Sequence, residues 1–148
     1  MTSFNRAEAR INLDSITANV AHLKSIAGVD LMAVVKADAY GHGLVPVARA
    51  ALAGGATYLG VALLEEAIAL RDAGITAPIL AWLAPPGSDY KSAIDRDIEL
   101  SVPSLIALKE IGAVKSDRKA RVHLEVDTGM TRGGFLSEWD TLDRTHLD

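Results

Sequence analysis

Short apolar runs alternate with longer amphipathic stretches along most of this chain. The apolar runs are rich in Val, Ile, Leu and Ala and carry few charges, which is typical of buried strands in a parallel sheet. The stretches between them place apolar residues at helical spacing. The predicted strands are Leu31–Lys36, Tyr58–Ala62, Pro78–Trp82, Ile98–Val102 and Arg121–Asp127. The predicted helices are Ser15–Ala27, Leu44–Ala53, Leu64–Ala73, Ser88–Arg96, Pro103–Gly112 and a last helix from Ser137 to the end.

Residues that typically start and stop helices lie at the edges of these segments. Asp14 or Ser15 is placed to cap the first helix. Pro103 suits the first turn of its helix, with Ser101 as the predicted cap. Glycines stand where three of the helices should end, at Gly54-Gly55, Gly74 and Gly112.

The repeated strand-then-helix order predicts an α/β fold with a parallel sheet. Successive strands begin about 20–27 residues apart, close to the spacing of a (β/α) barrel unit. A complete barrel of eight units takes roughly 250 residues, whereas this chain has 148. On length alone, a doubly wound open sheet therefore fits better than a barrel.

Composition and charge exclude several classes of function. Hydrophobic residues make up 49% of the chain and charged residues 23%, which predicts a globular protein. The net charge of −4 predicts no nucleic-acid partner, because no basic surface is available to neutralise phosphates. No apolar run approaches the roughly 18 residues of a membrane span, and the N-terminus lacks the apolar core of a signal peptide. The absence of cysteine excludes disulfides and thiolate metal sites, and it agrees with a cytoplasmic location.

Lys36 is the first candidate for chemistry, because it stands at the C-terminal end of an apolar strand. Apolar surroundings favour the neutral amine of a lysine, which is the nucleophile for a carbonyl compound or for pyridoxal phosphate. The alternative is a lysine that marks the strand end and extends into water. Tyr40 follows on the next turn, where its hydroxyl and the amides near Gly41 and Gly43 can approach one phosphate. A plain turn with a packed aromatic residue is the alternative there.

Three ionisable residues share one face of the last predicted strand. His123, Glu125 and Asp127 alternate with apolar residues. A parallel sheet covered by helices usually has no wet face, so this alignment indicates a site rather than a solvated surface. In a barrel the C-terminal ends of the strands meet at one rim, which predicts that Lys36 and Asp127 converge.

Two segments resemble motifs of the alanine racemase family. Ala33–Gly43, with the sequence Ala-Val-Val-Lys-Ala-Asp-Ala-Tyr-Gly-His-Gly, closely resembles the family's pyridoxal-phosphate lysine signature, with Asp38 where the family often has Asn. Asp127–Arg132, with the sequence Asp-Thr-Gly-Met-Thr-Arg, resembles a second family segment at about the expected separation. The resemblance implies a partial (β/α)8 TIM-type barrel of about five βα units. Residues 1–148 would then form an incomplete N-terminal domain, without the C-terminal part of the barrel and the β-rich domain that follows it.

The resemblance also implies roles for individual residues. Lys36 would carry the cofactor, pyridoxal 5'-phosphate, and act as a catalytic base. Tyr40 would contact the cofactor phosphate. Arg132 would bind the phenolic oxygen of the cofactor and help to hold the substrate carboxylate. The backbone amide of Met130 would meet that carboxylate across a subunit interface.

Glu125 departs from the family pattern. Many members have a lysine two residues before the aspartate, and its carbamate pairs with the neighbouring arginine. A glutamate carboxylate offers the same pairing, which predicts that Glu125 orients Arg132; an ion pair with Arg121 is the alternative. Asp127 and His42 are predicted to support the site, although His42 can also be an ordinary turn residue.

The activity implied by the resemblance is the interconversion of L- and D-alanine for peptidoglycan precursors, by a cytoplasmic homodimer. A second acid–base group on the opposite face of the substrate is a tyrosine from the partner's C-terminal domain in the family, so this chain alone is expected to be inactive. The stop at Asp148 is expected to be the boundary of an expressed segment or a gene model, with a natural half-barrel that dimerises as the alternative. Three other functions stay open: a racemase of serine or lysine, a non-catalytic pyridoxal-phosphate barrel protein, and a general α/β phosphate-binding domain.

Overall fold

A computed structural model of the chain describes residues 7–142. Five parallel strands form one sheet in the order β1-β2-β3-β4-β5. The strands are β1 (Met32–Val34), β2 (Tyr58–Leu63), β3 (Ile79–Leu83), β4 (Glu99–Val102) and β5 (Val122–Leu124). The helices are α1 (Leu13–Ala27), the single turn α2 (Lys36–Gly41), α3 (Leu44–Ala53), α4 (Leu64–Asp72), α5 (Tyr90–Asp95) and α6 (Leu105–Gly112), with a 3-10 turn at Trp139–Thr141.

The strand order confirms the partial barrel. Each strand pairs with the strand before and after it in sequence, and the order never reverses within the described sheet. A doubly wound sheet has such a reversal, so the open-sheet interpretation from length alone was wrong. The described residues form five strands of a (β/α)8 arrangement, of which the first four are each followed by an α-helix. No helix in the described part of the chain is both long and apolar enough to cross a membrane.

The outward face of the sheet forms the hydrophobic core. Alternation along β2, β3 and β4 sends six side chains beneath the helices, and these six have 0% exposure. Alanines of the covering helices, such as Ala48, Ala67 and Ala93, are also fully buried and allow close approach to the strands. The outward strand residues are Leu59, Val61, Ile79, Ala81, Leu100 and Val102.

The inward face is packed closely around Gly60. A Cβ atom at this position would lie 2.6 Å from Cη2 of Trp82 and 2.9 Å from Sδ of Met32. Real Cβ contacts are longer than this, so only glycine lets the Trp82 indole lie across β2. The small residue on β2 therefore determines where the largest inward side chain sits.

A buried carboxylate, Glu99, closes the inward face near the N-terminal ends of the strands. Glu99 is 7% exposed, and a buried charge is costly unless it is paired and hydrogen-bonded. The Tyr58 hydroxyl donates to Glu99 Oε2, and His123 Nε2 lies 2.6 Å from the same oxygen. Arg121 lies 3.0 Å from Oε1. These partners offset the cost of burying the carboxylate.

The predicted helix caps were wrong at two helices. Asn12 caps α1 by accepting the Ser15 N–H at 3.0 Å, in place of Asp14 or Ser15. Ser104 caps α6 by accepting the Ala107 N–H at 3.3 Å, so Pro103 lies before the helix. Ser101 cannot be the cap because it belongs to β4 and pairs with β5.

Three elements near the predicted site residues or the C-terminus also end differently from the prediction. β1 ends at Val34 because Lys36 already begins α2. β5 ends at Leu124, and Asp127 lies in the loop beyond it. Instead of a helix from Ser137, the structure has the 3-10 turn Trp139–Thr141, and residues 143–148 lie outside the described part.

We expect Gly60→Ala to lower the free energy of unfolding by about 1–3 kcal/mol, because the added methyl group overpacks the contact with Trp82. Gly112→Ala is the matched control, since a Cβ there meets nothing within 4 Å. The control should change the free energy of unfolding by less than about 1 kcal/mol. Urea denaturation followed by circular dichroism measures both, and equal midpoints would contradict the packing argument.

Candidate active site

The turn that follows β1 has a backbone conformation rare for residues other than glycine. Four consecutive residues, Ala37 to Tyr40, have φ between 53° and 56° and ψ between 38° and 52°, which makes α2 a left-handed helical turn. Each such residue costs roughly 1–2 kcal/mol relative to a right-handed helix. Contacts with the rest of the chain must therefore stabilise α2.

Local hydrogen bonds hold both ends of this turn. The Ala39 N–H donates to the Val35 carbonyl at 2.9 Å, and Val35 is itself fixed by donation to Gly60 at 2.9 Å. The Asp38 side chain accepts the Leu44 N–H at 2.7 Å, where α3 begins. His42 Nδ1 lies 2.9 Å from the Ala39 carbonyl oxygen, to which it donates when that nitrogen carries the proton. His42 thus contacts the turn, and its role as a supporting residue of the site stays a prediction.

One further contact comes from a different βα unit and was not predicted from the sequence. Glu66, near the start of α4, accepts the Ala37 N–H at 2.6 Å. The only signal in the sequence is an acidic residue in the first turn of a helix that directly follows a strand. That signal does not say which distant amide the carboxylate reaches.

A cavity of about 1030 Å³ opens at the C-terminal ends of the strands. Lys36, Glu125 and Arg132 line it, so residues from the ends of β1 and β5 reach one site. The remaining walls are largely apolar, and such walls with a few polar groups are typical of ligand sites. The apolar residues include Leu63, Leu80, Trp82, Leu83, Pro85 and Pro103.

The loop that carries Met130 and Arg132 is closed at its base by Phe135. The Phe135 side chain is 1% exposed. Its N–H donates to the Glu125 carbonyl at 2.7 Å, and its carbonyl accepts the Asp127 N–H at 3.0 Å. This pairing lies directly beyond β5 and holds the two ends of the loop together where it leaves the barrel.

Asp127 shapes the same loop from inside. Its Oδ1 accepts the N–H groups of Gly129 at 2.9 Å and Thr131 at 3.0 Å. The backbone N–H groups of Thr131 and Gly129 hold the pKa of Asp127 below its ordinary value, because they stabilise the charged form. Asp127 therefore holds the backbone of the loop, and one of its contacts is with Thr131, the residue directly before Arg132.

Glu125 faces the cavity but makes no ion pair with Arg132 within 4 Å in the part of the chain that is described. The Ser101 hydroxyl donates to Glu125 Oε2 at 3.4 Å. Arg121, the alternative partner, pairs instead with Glu99 at 3.0 Å and Asp97 at 3.3 Å. The orienting role of Glu125 stays a prediction.

Tyr40 and Met130 lie at the outer surface of the site. Tyr40 is 62% exposed, with its ring centroid 6.0 Å from Lys36 Nζ. Met130 is 74% exposed on its loop. Neither residue lines the cavity, and their predicted contacts with a phosphate and a carboxylate stay predictions.

Comparison with known proteins gives consistent matches over nearly the whole chain. The sequence profile described as "Alanine racemase, N-terminal domain" matches residues 11–145. The alanine racemase of Thermobifida fusca is 57% identical over 138 residues, which are 91% of this chain and 36% of that protein. The alanine racemase of Mycolicibacterium smegmatis is 53% identical, covering 96% of this chain and 39% of that protein. Among solved structures, the alanine racemase of Corynebacterium glutamicum superposes with a TM-score of 0.85 at 42% identity, covering 89% of this chain and 39% of its own.

Acidification should release the loop held by Asp127. A lowered pKa in the folded state means that the carboxylate stabilises the loop fully above the ordinary value of 3.8. That contribution is lost as the pH falls through the lowered value. Hydrogen exchange at the Gly129 and Thr131 amides, corrected for the intrinsic rate, should show this dependence. Asp127→Asn keeps one acceptor oxygen and should remove the pH dependence; its persistence in that variant would show that another group controls the loop.

Proposed function

We propose a function from the premise that this chain belongs to the alanine racemase family. The proposed activity is the interconversion of L- and D-alanine with pyridoxal 5'-phosphate, for which this chain forms the N-terminal, cofactor-binding part. The observation that carries the proposal is the cavity at the strand ends, where the Lys36 amine and the Arg132 guanidinium share an otherwise largely apolar wall.

The residues of the cavity fit this cofactor. Pyridoxal phosphate is a flat aromatic aldehyde with a phenolic oxygen and a phosphate. An amine suits the aldehyde, a guanidinium suits the phenolic oxygen, and apolar walls suit the ring. We assign the aldehyde to Lys36 and the phenolic oxygen to Arg132. The phosphate is assigned to the hydroxyl of Tyr40, which lies outside the cavity lining with its ring centroid 6.0 Å from Lys36 Nζ. When bound, the cofactor supplies an electron sink for the charge left by the departing α-proton.

The proposed work of the protein is positioning and proton transfer. Lys36 Nζ takes the α-proton of the substrate and returns it on one face. The planar donors of Arg132 hold the substrate carboxylate, helped by the Met130 N–H. Glu125 keeps an anion on the same wall as the Arg132 guanidinium. The apolar residues around them shield one side of the site from water, which strengthens each of these interactions.

Racemisation needs a second acid–base group on the opposite face of the substrate. The chain spans 36–39% of the length of the relatives described above. We propose that the missing group comes from the rest of such a polypeptide in a homodimer, and that the isolated chain does not racemise alanine. Supply of D-alanine for peptidoglycan in the cytoplasm belongs to the same proposal.

Substrate identity is tested by direct comparison. The substrate groups assigned to Lys36, Arg132 and Met130 are the α-proton and the carboxylate, which alanine, serine and lysine share. Chiral chromatography of alanine, serine and lysine incubated with the complete polypeptide distinguishes the three racemase activities. A polypeptide that binds the cofactor and turns over none of them would favour the non-catalytic alternative.

Lys36 should be the residue that the cofactor labels. Incubation with pyridoxal phosphate, borohydride reduction and peptide mass mapping should place the pyridoxyl group on Lys36, because its amine lines the cavity. Lys36→Arg keeps the charge and should abolish this label. Labelling of Lys24, Lys91, Lys109, Lys115 or Lys119 instead would contradict the assignment.

Glu125 should be replaceable by another anion. In the complete polypeptide, Glu125→Ala should lower kcat/KM about 10-fold or more, since Arg132 loses its anionic neighbour. Glu125→Lys should be tolerated when bicarbonate is supplied, because a lysine carbamate restores two anionic oxygens. Glu65→Ala on the exposed side of α4 is the control. Equal activity of the Glu125→Ala and control variants would show that Glu125 does not orient Arg132.

A further inference from the structure

One carboxylate, that of Glu66, joins the turn after β1 to the end of β2. Its Oε1 accepts the Ala37 N–H at 2.6 Å, across a separation of 29 residues. Its Oε2 accepts the N–H groups of Ala62 at 2.9 Å and Leu63 at 3.0 Å. Three backbone donors from two neighbouring strand ends therefore meet on one anion.

The contact with Ala37 acts directly on the backbone of Lys36. The Ala37 nitrogen belongs to the peptide plane that Lys36 and Ala37 share, and this plane is rigid. A hydrogen bond to the Ala37 N–H thus restrains ψ of Lys36, which sets the direction in which the chain turns into α2. The Lys36 side chain leaves the backbone at this restrained plane and reaches the cavity.

The other hydrogen bonds of α2 come from residues close in sequence, among them Val35, Asp38 and His42. The Val35 contact ties the turn to β2 through the Val35–Gly60 hydrogen bond, whereas the Asp38 and His42 contacts lie within the turn or at the start of α3. Glu66 belongs to the next βα unit and is anchored by the N–H groups of Ala62 and Leu63. Its contact with Ala37 therefore fixes the position of the turn relative to the barrel wall.

We propose that Glu66 is a positioning residue for Lys36. Its carboxylate holds α2 in the left-handed conformation and so directs the Lys36 amine into the cavity. The proposal rests on the function proposed for Lys36, whereas the hydrogen bonds that Glu66 makes do not depend on it.

The position requires an anion with two acceptor oxygens. A carboxylate accepts on both sides, whereas an amide offers one acceptor oxygen and a donor group. In Glu66→Gln the amide NH₂ must face either the Ala37 N–H or the pair from Ala62 and Leu63, so one side loses its bond. Glu65 is exposed in the same helical turn, and Glu65→Gln removes the same charge without touching α2.

Hydrogen exchange tests the structural half of the proposal in the complete, cofactor-free polypeptide. Peptides that cover residues 33–43 should exchange about 10-fold faster or more in Glu66→Gln. Glu65→Gln should match the unsubstituted protein, and peptides that cover β4 should be unchanged in both variants. Equal protection of residues 33–43 in the two variants would overturn the proposal. Should Glu66→Gln also lose protection in β4, Glu66→Asp takes its place, because it keeps the charge but is one methylene too short to bridge both sides.

Kinetics and labelling test the consequence for Lys36. Glu66→Gln should lower kcat for alanine about 10-fold to 100-fold, as expected for a misplaced reacting group. KM should change by less than about 3-fold, because the proposed carboxylate contact, Arg132, is not moved. Equal kcat in Glu66→Gln and Glu65→Gln, with Lys36 labelled by pyridoxal phosphate in both, would overturn the role of Glu66 and leave the proposed function standing. Label on another lysine in the unsubstituted protein would overturn the proposed function, and the exchange result would still decide whether Glu66 holds the turn.

Discussion

The left-handed turn after β1 is the constraint on which the arrangement of the site depends. Four residues without a glycine adopt a conformation that each of them disfavours. They stay there because Val35 is paired into the sheet, Asp38 caps α3 and Glu66 binds the amide of Ala37. Lys36 lies at the boundary between the strand and this turn. Its backbone is restrained on both sides, by the hydrogen bonds of Val35 and of Ala37. Backbone strain of this kind is commonly found at functional sites, where surrounding contacts over-determine one conformation.

Because side chains alternate along each strand, outward and inward residues of the barrel have different surroundings. Outward residues such as Leu59 and Leu100 are buried beneath helices and hold the structure together. Inward residues form two zones along the strands. Near the N-terminal ends, Glu99 is enclosed by Tyr58, His123 and Arg121, which pair its buried carboxylate. Toward the C-terminal ends, Glu125 lines the open cavity and accepts a hydrogen bond from Ser101. His123 and Glu125 lie on one face of one strand and both line the cavity, but His123 also pairs with Glu99, whereas Glu125 pairs with Ser101.

Prediction from the sequence succeeded where local pattern decides the outcome. The apolar runs of β2, β3 and β4 and the helical spacing of α3 and α4 are set by residues within a few positions of each other, and their boundaries agree with the structure to within two residues. The helix caps failed because several polar residues stand near each helix start, and only the backbone geometry selects Asn12 or Ser104. The alternative prediction for Glu125, an ion pair with Arg121, was wrong. Arg121 pairs instead with Asp97 and Glu99, two acids that lie nearer to it in space.

The sequence by itself determined that this is a β/α chain with a lysine at the end of its first predicted strand, and that a second family-like motif follows the fifth. Those features depend on periodicity and on short motifs, which are written in consecutive residues. Only the tertiary structure decided that the strands stay in sequential order, that Gly60 must be glycine because Trp82 crosses it, and that Glu66 reaches the amide next to Lys36. Contacts of this second kind join residues that lie far apart in the chain, and their geometry exists only once the sheet curves and brings neighbouring strand ends together.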